Sequence, residues 1–217
     1  ALLWAVPMGL IILLRDLGLL LLLNTVLVIM LYAVSRKPGY LVVGSLGVLL
    51  SGLAVGAVSA HARARFDVWL NPFADPTGKG WQILQGLSAM YAGGLWGAGI
   101  GAGAPQSVPI VSSDFIYAAL AEELGIIACV LLVLIFVMLA LRGWTIAAQA
   151  RGPFGLLLGV GLTAMITVQA LLNVGGVVKA IPMTGIPLPF VSQGGSSLVA
   201  ALVMVGLLAA ISDGRRG

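Results

Sequence analysis

Charge is scarce in this sequence. Only 8% of its 217 residues are Asp, Glu, Lys or Arg, while 60% are hydrophobic and the mean hydropathy is +1.14. Soluble domains carry roughly a quarter charged residues, so a globular surface facing water on all sides is excluded. Cysteine occurs once, as Cys129 inside an apolar run, which rules out a disulfide framework and a thiolate metal site. Histidine also occurs once; His61 stands without further ligands at metal spacing. The eleven basic residues leave a formal net charge of +4, but they sit at the ends of apolar runs. That distribution is an orientation signal for a membrane protein and not a nucleic-acid patch.

Long apolar runs are what the chain does have. A spanning helix needs about 20 mostly apolar residues. Runs of this kind cover Leu17–Val34, Leu41–Ser59, Phe115–Leu141, Phe154–Val174 and Ser197–Ile211, with a shorter one at Ala1–Leu14. An all-α polytopic membrane protein with about five to six transmembrane helices is expected, forming one integral membrane domain over residues 1–217. No signal peptide is visible, because Ala1 already lies in an apolar segment; the chain is expected to be the back part of a longer polytopic protein. The basic clusters orient the spans. If "SRKPG", "LRG…QARG" and "DGRRG" are cytoplasmic, six of the eleven basic residues lie inside and the helices alternate consistently. The "RDLG" turn, residues 60–113 and the "PMTGIPLPF" loop then face outward.

Polar complexity is therefore expected on the outer side. Residues 60–113 open with "ARARFDVWLNPFADPTGKGWQ", where "NP", "DP" and "TGKG" are turn signals and the tryptophans suit an interface. The following "ILQGLSAMYAGGLWGAGIGAGAPQ" is apolar but too rich in glycine for a spanning helix, so an interfacial or re-entrant segment is expected. A connection this long is more often functional than passive. Its G-x-G spacing lacks the strand–turn–helix setting of a dinucleotide site. Gly155, Gly159 and Gly161 read as close helix packing.

Three carboxylates crowd the stretch "SSDFIYAALAEELG", just before an uninterrupted apolar run. Asp114 stands where the outer loop becomes a helix, where it could serve as N-cap in competition with Ser112 or Ser113. On a continuous helix, Glu122 lies roughly 80° around from Asp114 and about 12 Å below it, while Glu123 lies roughly 180° away. Glu122 is thus expected on the face of Asp114, too deep for direct proton exchange. Intramembrane glutamates need a basic partner, a polar cavity or a proton. An interhelical ion pair with Arg15, Arg65, Lys79 or Lys179 is the structural alternative. The second constellation is "KAIPMTGIPLPFVSQGGSS". Its prolines stiffen an outer loop, and Ser192, Gln193, Gly194, Gly195 and Ser196 offer hydroxyls and N–H groups at a helix start suited to an anionic group. Lys179 is the nearby cation.

"RDLG", "RFDVWLNPFADPTGKGWQ", "SDFIYAALAEELG" and "NVGGVVKAIPMTGIPLPFVSQGGSS" together resemble, in order and spacing, the motifs of the SEDS proteins. This is the shape, elongation, division and sporulation family typified by FtsW, RodA and SpoVE. The resemblance runs over nearly the whole chain and corresponds to about the C-terminal half of a ten-helix architecture. Three positions depart from the family pattern: "RDLG" stands for "PDLG", "SQGGSS" for "SYGGSS", and "GAPQ…SSD" replaces a Gly-x-Gln…Thr-Asp pattern.

The resemblance implies an inverting peptidoglycan glycosyltransferase of the bacterial cytoplasmic membrane. Such enzymes polymerise lipid II at the outer face, in division or elongation, with a class B penicillin-binding protein as partner and membrane lipid around them. The family's essential aspartate falls on Asp114, its functional glutamate on Glu122, and its basic residue before an L-x-P segment on Arg65. A sugar hydroxyl must attack the anomeric carbon of a lipid-diphosphate donor, and Asp114 is the expected general base, a role contributing about 10²–10⁴-fold. Positive charge for the diphosphate would come from Arg65, Lys179, Lys79 or a divalent cation such as Mg²⁺. No cofactor or protein-held metal is otherwise implied. A lipid II flippase, or a non-catalytic scaffold of the division or elongation machinery, is the alternative. The clustering of polar residues on one side, with no acidic relay across the bilayer, favours the enzyme.

Overall fold

The computed structural model describes residues 16–103 and 112–214. The run Ala1–Leu14, Arg15, the "APQ" of the glycine-rich stretch and Arg215–Arg216 lie outside these residues, as does the side chain of His61. Among the described residues the chain forms seven α-helices and no strand. They are α1 Leu17–Ser35, α2 Gly39–Val58, α3 Ala60–Leu70, α4 Trp81–Gly93, α5 Ile116–Ala148, α6 Gly152–Val177 and α7 Gly195–Asp213, with a 3₁₀ turn at Pro72–Ala74.

Four of these helices are long and apolar enough to cross a membrane: Gly18–Ser35, Ile116–Ala148, Gly152–Val177 and Gly195–Asp213. Helix α2 adds a shorter apolar stretch, Gly39–Leu50. The protein is a multi-pass membrane protein, and its helices fall where the apolar runs predict them.

Local chemistry explains the helix ends. Asp16 of "RDLG" is the N-cap of α1, its carboxylate accepting the Leu19 N–H at 3.0 Å. The helix stops at Arg36, which enters the left-handed region (φ 51°) and donates its N–H to the Tyr32 carbonyl at 2.8 Å. Gly18 admits a loop: a Cβ there would lie 2.5 Å from the Thr184 carbonyl oxygen.

Helix α6 is the central element, packed against α1, α5 and α7. In lipid the hydrophobic effect does not draw helices together, so close approach through small residues supplies the contact. Gly159 of α6 faces Ala147 of α5, Gly143 of α5 faces Thr163 of α6, and Gly161 faces Met30 of α1. Two apolar clusters result. One joins Phe115, Tyr117, Phe136, Ile166 and Leu188 across α5, α6 and the arm before α7; the other joins Leu22, Val26, Ala164, Val168 and Ile186 between α1 and α6.

Helix α5 carries a break that the apolar run does not announce. Within its 33 residues, Gly125 has φ 79° and ψ 173°. The chain after α4, residues 94–103, fits into this break. Ile126 and Ile127 donate their N–H groups to the carbonyls of Gly94 (3.0 Å) and Leu95 (3.4 Å). In return Ala98 and Gly99 donate to the carbonyls of Glu122 (2.8 Å) and Glu123 (3.0 Å). Unsatisfied backbone groups in an apolar setting cost several kcal/mol each, so these four hydrogen bonds hold the segment in the break. The Glu123 side chain adds to it, its Oε1 accepting the Gly101 N–H at 3.3 Å.

Candidate functional site

The turn Ser112–Phe115 leads into α5, whose N-cap is Phe115 with no side-chain cap. Asp114 therefore precedes the helix and does not cap it. Its side chain is half-buried and unspent on secondary structure.

Arg65, on the short helix α3, reaches across to the arm between α6 and α7. Its Nη1 donates to the carbonyls of Met183 (3.3 Å) and Thr184 (2.9 Å). The next residue, Gly185, has φ 74°. A Cβ at Gly185 would lie 3.6 Å from Arg65 Nη2 and 3.8 Å from Asp114 Oδ2. A guanidinium and a carboxylate, 49 residues apart in sequence (114 − 65), thus flank one point on the backbone.

That point is on the wall of a cavity of about 370 Å³, lined by Arg65, Lys79, Gln82, Asp114, Met183 and Gly185 among others. Asp114 is the carboxylate on this wall, and Arg65 and Lys79 are its cations. The turn before α4 delivers Lys79: its backbone N–H donates to Asp75 Oδ2 at 3.0 Å. A second, mainly apolar groove of about 390 Å³ runs between α1, α2, α3 and α6, lined by Leu21, Val48, Leu49, Phe66 and Leu172, with Pro182 of the arm. Arg65 lines this groove as well. One guanidinium stands where a cavity bearing charged side chains and an apolar groove meet.

The remaining expected site residues are distributed otherwise. Lys179 does not line the cavity. It lies just beyond the end of α6 in the left-handed region (φ 61°), and its carbonyl accepts Trp69 Nε1–H at 3.0 Å. Ser192 is buried; its hydroxyl donates to the Ser113 carbonyl at 2.6 Å and accepts the Leu188 N–H at 2.8 Å. Gln193 donates its backbone N–H to the Ser112 carbonyl at 2.7 Å. Gly194, Gly195 and Ser196 form the start of α7 and do not line the cavity.

Glu122 requires a correction. The expectation that it shares the face of Asp114 assumed a helix running through both residues. The helix begins at Ile116, after a turn, so the angular count from Asp114 does not hold. Glu122 is buried against the returning segment, where a Cβ on Gly103 would lie 3.1 Å from its Cδ, and it does not line the cavity.

Asn173 is a site residue the sequence reading missed. Its side-chain amide donates to the Asp114 carbonyl at 3.2 Å and to the Ile186 carbonyl at 2.8 Å. An amide near the end of an otherwise apolar span was the available signal.

Comparison with known proteins agrees with this architecture. RodA of Mycobacterium bovis, a peptidoglycan glycosyltransferase, is 38% identical over 98% of this chain and 45% of its own length. A protein of Geobacter metallireducens named as a probable peptidoglycan glycosyltransferase FtsW is 37% identical, over 94% of this chain and 55% of its own. Stage V sporulation protein E of Bacillus subtilis is 41% identical, over 87% and 52%. This chain thus spans about half the length of the curated relatives it matches. In three dimensions it superposes on a chain of a solved peptidoglycan synthase complex with a TM-score of 0.76 and 27% identity, covering 95% of this chain and 58% of that one. Over residues 1–217, this chain belongs to the family of cell cycle proteins that comprises FtsW, RodA and SpoVE.

Proposed function

We propose that this chain supplies the reaction centre of a peptidoglycan glycosyltransferase that polymerises lipid II. One observation carries the proposal: Asp114 and Arg65 both line one cavity, and Arg65 also lines an apolar groove. A lipid-linked sugar donor has that same order of parts, an apolar tail, a diphosphate and a sugar. The tail lies in the groove, the diphosphate at Arg65, and the sugars in the cavity.

In the reaction, a hydroxyl of the acceptor sugar gives its proton to the Asp114 carboxylate as its oxygen attacks the anomeric carbon. The bond from that carbon to the diphosphate oxygen breaks on the opposite side, inverting the centre. The polyprenyl diphosphate departs with the bonding electrons, and Arg65 and Lys79 stabilise its charge. Since Arg65 Nη1 is held by two carbonyls, its guanidinium is already oriented before the charge develops. Magnesium is commonly held by one or two carboxylates plus substrate phosphates. Here it would have to take Asp114, the carboxylate needed as base, in a cavity that Arg65 and Lys79 also line.

The distribution of basic residues supports an extracytoplasmic location for this end of the bundle, with residues 60–113 as the outer loop and 94–103 as its re-entrant part. The likeness to a peptidoglycan synthase complex supports a class B penicillin-binding protein as partner.

Reconstitution in liposomes tests the reading. The full-length protein with its partner is expected to convert lipid II to glycan strands. Transfer of lipid II across the bilayer without polymer would replace this reading by a transporter. Arg65→Lys is a further test, because a single ammonium cannot serve two carbonyls and still present a second nitrogen to the cavity. We expect kcat/KM to fall about 10- to 100-fold, the size of one lost charge-assisted hydrogen bond, measured by initial rates of polymerisation.

A further inference from the structure

We propose that Asn173 is a positioning residue that sets the Asp114 carboxylate through its backbone. The proposal rests on the reading of Asp114 as the base.

Asn173 lies in the penultimate turn of α6 and is 1% exposed. Both groups facing its side-chain nitrogen are carbonyl oxygens, those of Asp114 and Ile186. Only the donor end of the amide can face two acceptors, so its orientation is decided by chemistry. Its Oδ1 makes no hydrogen bond among the described residues. An apolar side chain of the same shape would remove this unmatched acceptor but leave the carbonyls of Asp114 and Ile186 without their donor. What the amide alone provides is a tie between the two walls of the cavity. One wall holds Asp114; the other holds Gly185, the neighbour of Ile186 and the point that Arg65 and Asp114 flank.

The tie is part of a larger docking. Three consecutive carbonyls, those of Ser112, Ser113 and Asp114, each accept a hydrogen bond from beyond the turn. The donors are Gln193 N–H at 2.7 Å, Ser192 Oγ–H at 2.6 Å and Asn173 Nδ2–H at 3.2 Å. One helical turn before Asn173, Gln169 Nε2 donates to the Pro187 carbonyl at 3.1 Å and holds the same arm. The residues before α5 are thus gripped by their main chain, which leaves the Asp114 side chain to the cavity. A base must sit within hydrogen-bond reach of the proton it takes, and a displacement of about 1 Å costs about 10²-fold in rate.

The test is lipid II polymerisation by the intact protein, with rates normalised to folded protein recovered from gel filtration. Asn173→Leu keeps the shape and removes the donor. We expect kcat to fall about 10- to 100-fold with KM for lipid II within about twofold, the split expected when a base is displaced and substrate contacts persist. A residue serving structure alone would lower the yield and the melting temperature while leaving kcat per folded molecule intact; that result overturns the proposal. If Asn173→Leu does not fold, Ser192→Ala decides. It cuts the adjoining tie and leaves α6 untouched, and we expect kcat to fall about threefold or more with KM unchanged. Unchanged kcat in folded Ser192→Ala would then overturn the proposal. Asp114→Asn, assayed alongside, separates the two readings. If it polymerises like wild type, the base reading fails; if it is inactive while Asn173→Leu has wild-type kcat, only the positioning role fails.

Discussion

Asp114→Asn is expected to abolish glycan strand formation, lowering kcat by about 10²–10⁴-fold, the usual contribution of a positioned general base. The substitution is nearly isosteric and removes the negative charge together with the ability to accept a proton. The fold should not register it, because the tertiary hydrogen bond to this residue goes to its main-chain carbonyl, from Asn173, and α5 is not capped by its side chain. Lipid II binding should be retained within a few-fold, since Arg65 and Lys79 carry the charge that faces a diphosphate. Asp114→Glu is the informative companion. It keeps the acid but moves it by one methylene, about 1.5 Å, so a loss of about 10²-fold is expected where a placed base is needed, and almost none where mere negative charge suffices. Initial rates of polymer formation at saturating lipid II read both outcomes. Equal polymerisation by wild type and Asp114→Asn would remove Asp114 from the chemistry altogether.

Much of this architecture is legible in the sequence because a bilayer simplifies the reading. The runs Phe154–Val174 and Phe115–Leu141 became α6 and α5 with boundaries shifted only by a few residues at most ends, since apolar length dominates where water is absent. The choice among the basic residues was not legible. Lys179 stands six residues before Gly185 and reads as the nearer cation, yet Lys79, a hundred residues earlier, lines the cavity because a turn held by Asp75 brings it there. The wheel that put Glu122 beneath Asp114 failed for a local reason: Asp114 lies in a turn before the helix, and Phe115, between them, has φ −106° and ψ 18°. The use of Ser192 was hidden too. Hydroxyls beside a helix start suggest an anion, but this one is consumed by Ser113 and Leu188. Side-chain composition reports what a segment can bind, while main-chain carbonyls, which every residue carries, are invisible as partners.

Gly125→Val is expected to unfold the reaction centre from a distance. Its backbone, at φ 79° and ψ 173°, lies in a region that essentially only glycine adopts, and strain there costs about 1–3 kcal/mol. A Cβ would in addition press on the Leu95 carbonyl and the Gly97 nitrogen, main-chain atoms that cannot swing aside as a side chain could. Overpacking of that kind costs about 1–3 kcal/mol more. Relief requires residues 94–103 to leave the break, which strips the Glu122 and Glu123 carbonyls and the Ile126 and Ile127 N–H groups of their partners together. Helix α4, which ends at Gly93 where that segment begins, packs on the first turns of α5 through Gly86 against Phe115, the residue after Asp114. The damage therefore travels to the base. We expect a fall of several degrees or more in the unfolding midpoint in detergent, and loss of polymerisation even in the fraction that remains folded. Gly206→Ala is the control: within α7 a Cβ would meet nothing within 4 Å, and alanine is favoured over glycine in a helix by up to about 1 kcal/mol. If Gly125→Val melted like Gly206→Ala, the exchange of hydrogen bonds at the break would be dispensable, and α5 would be free to run straight.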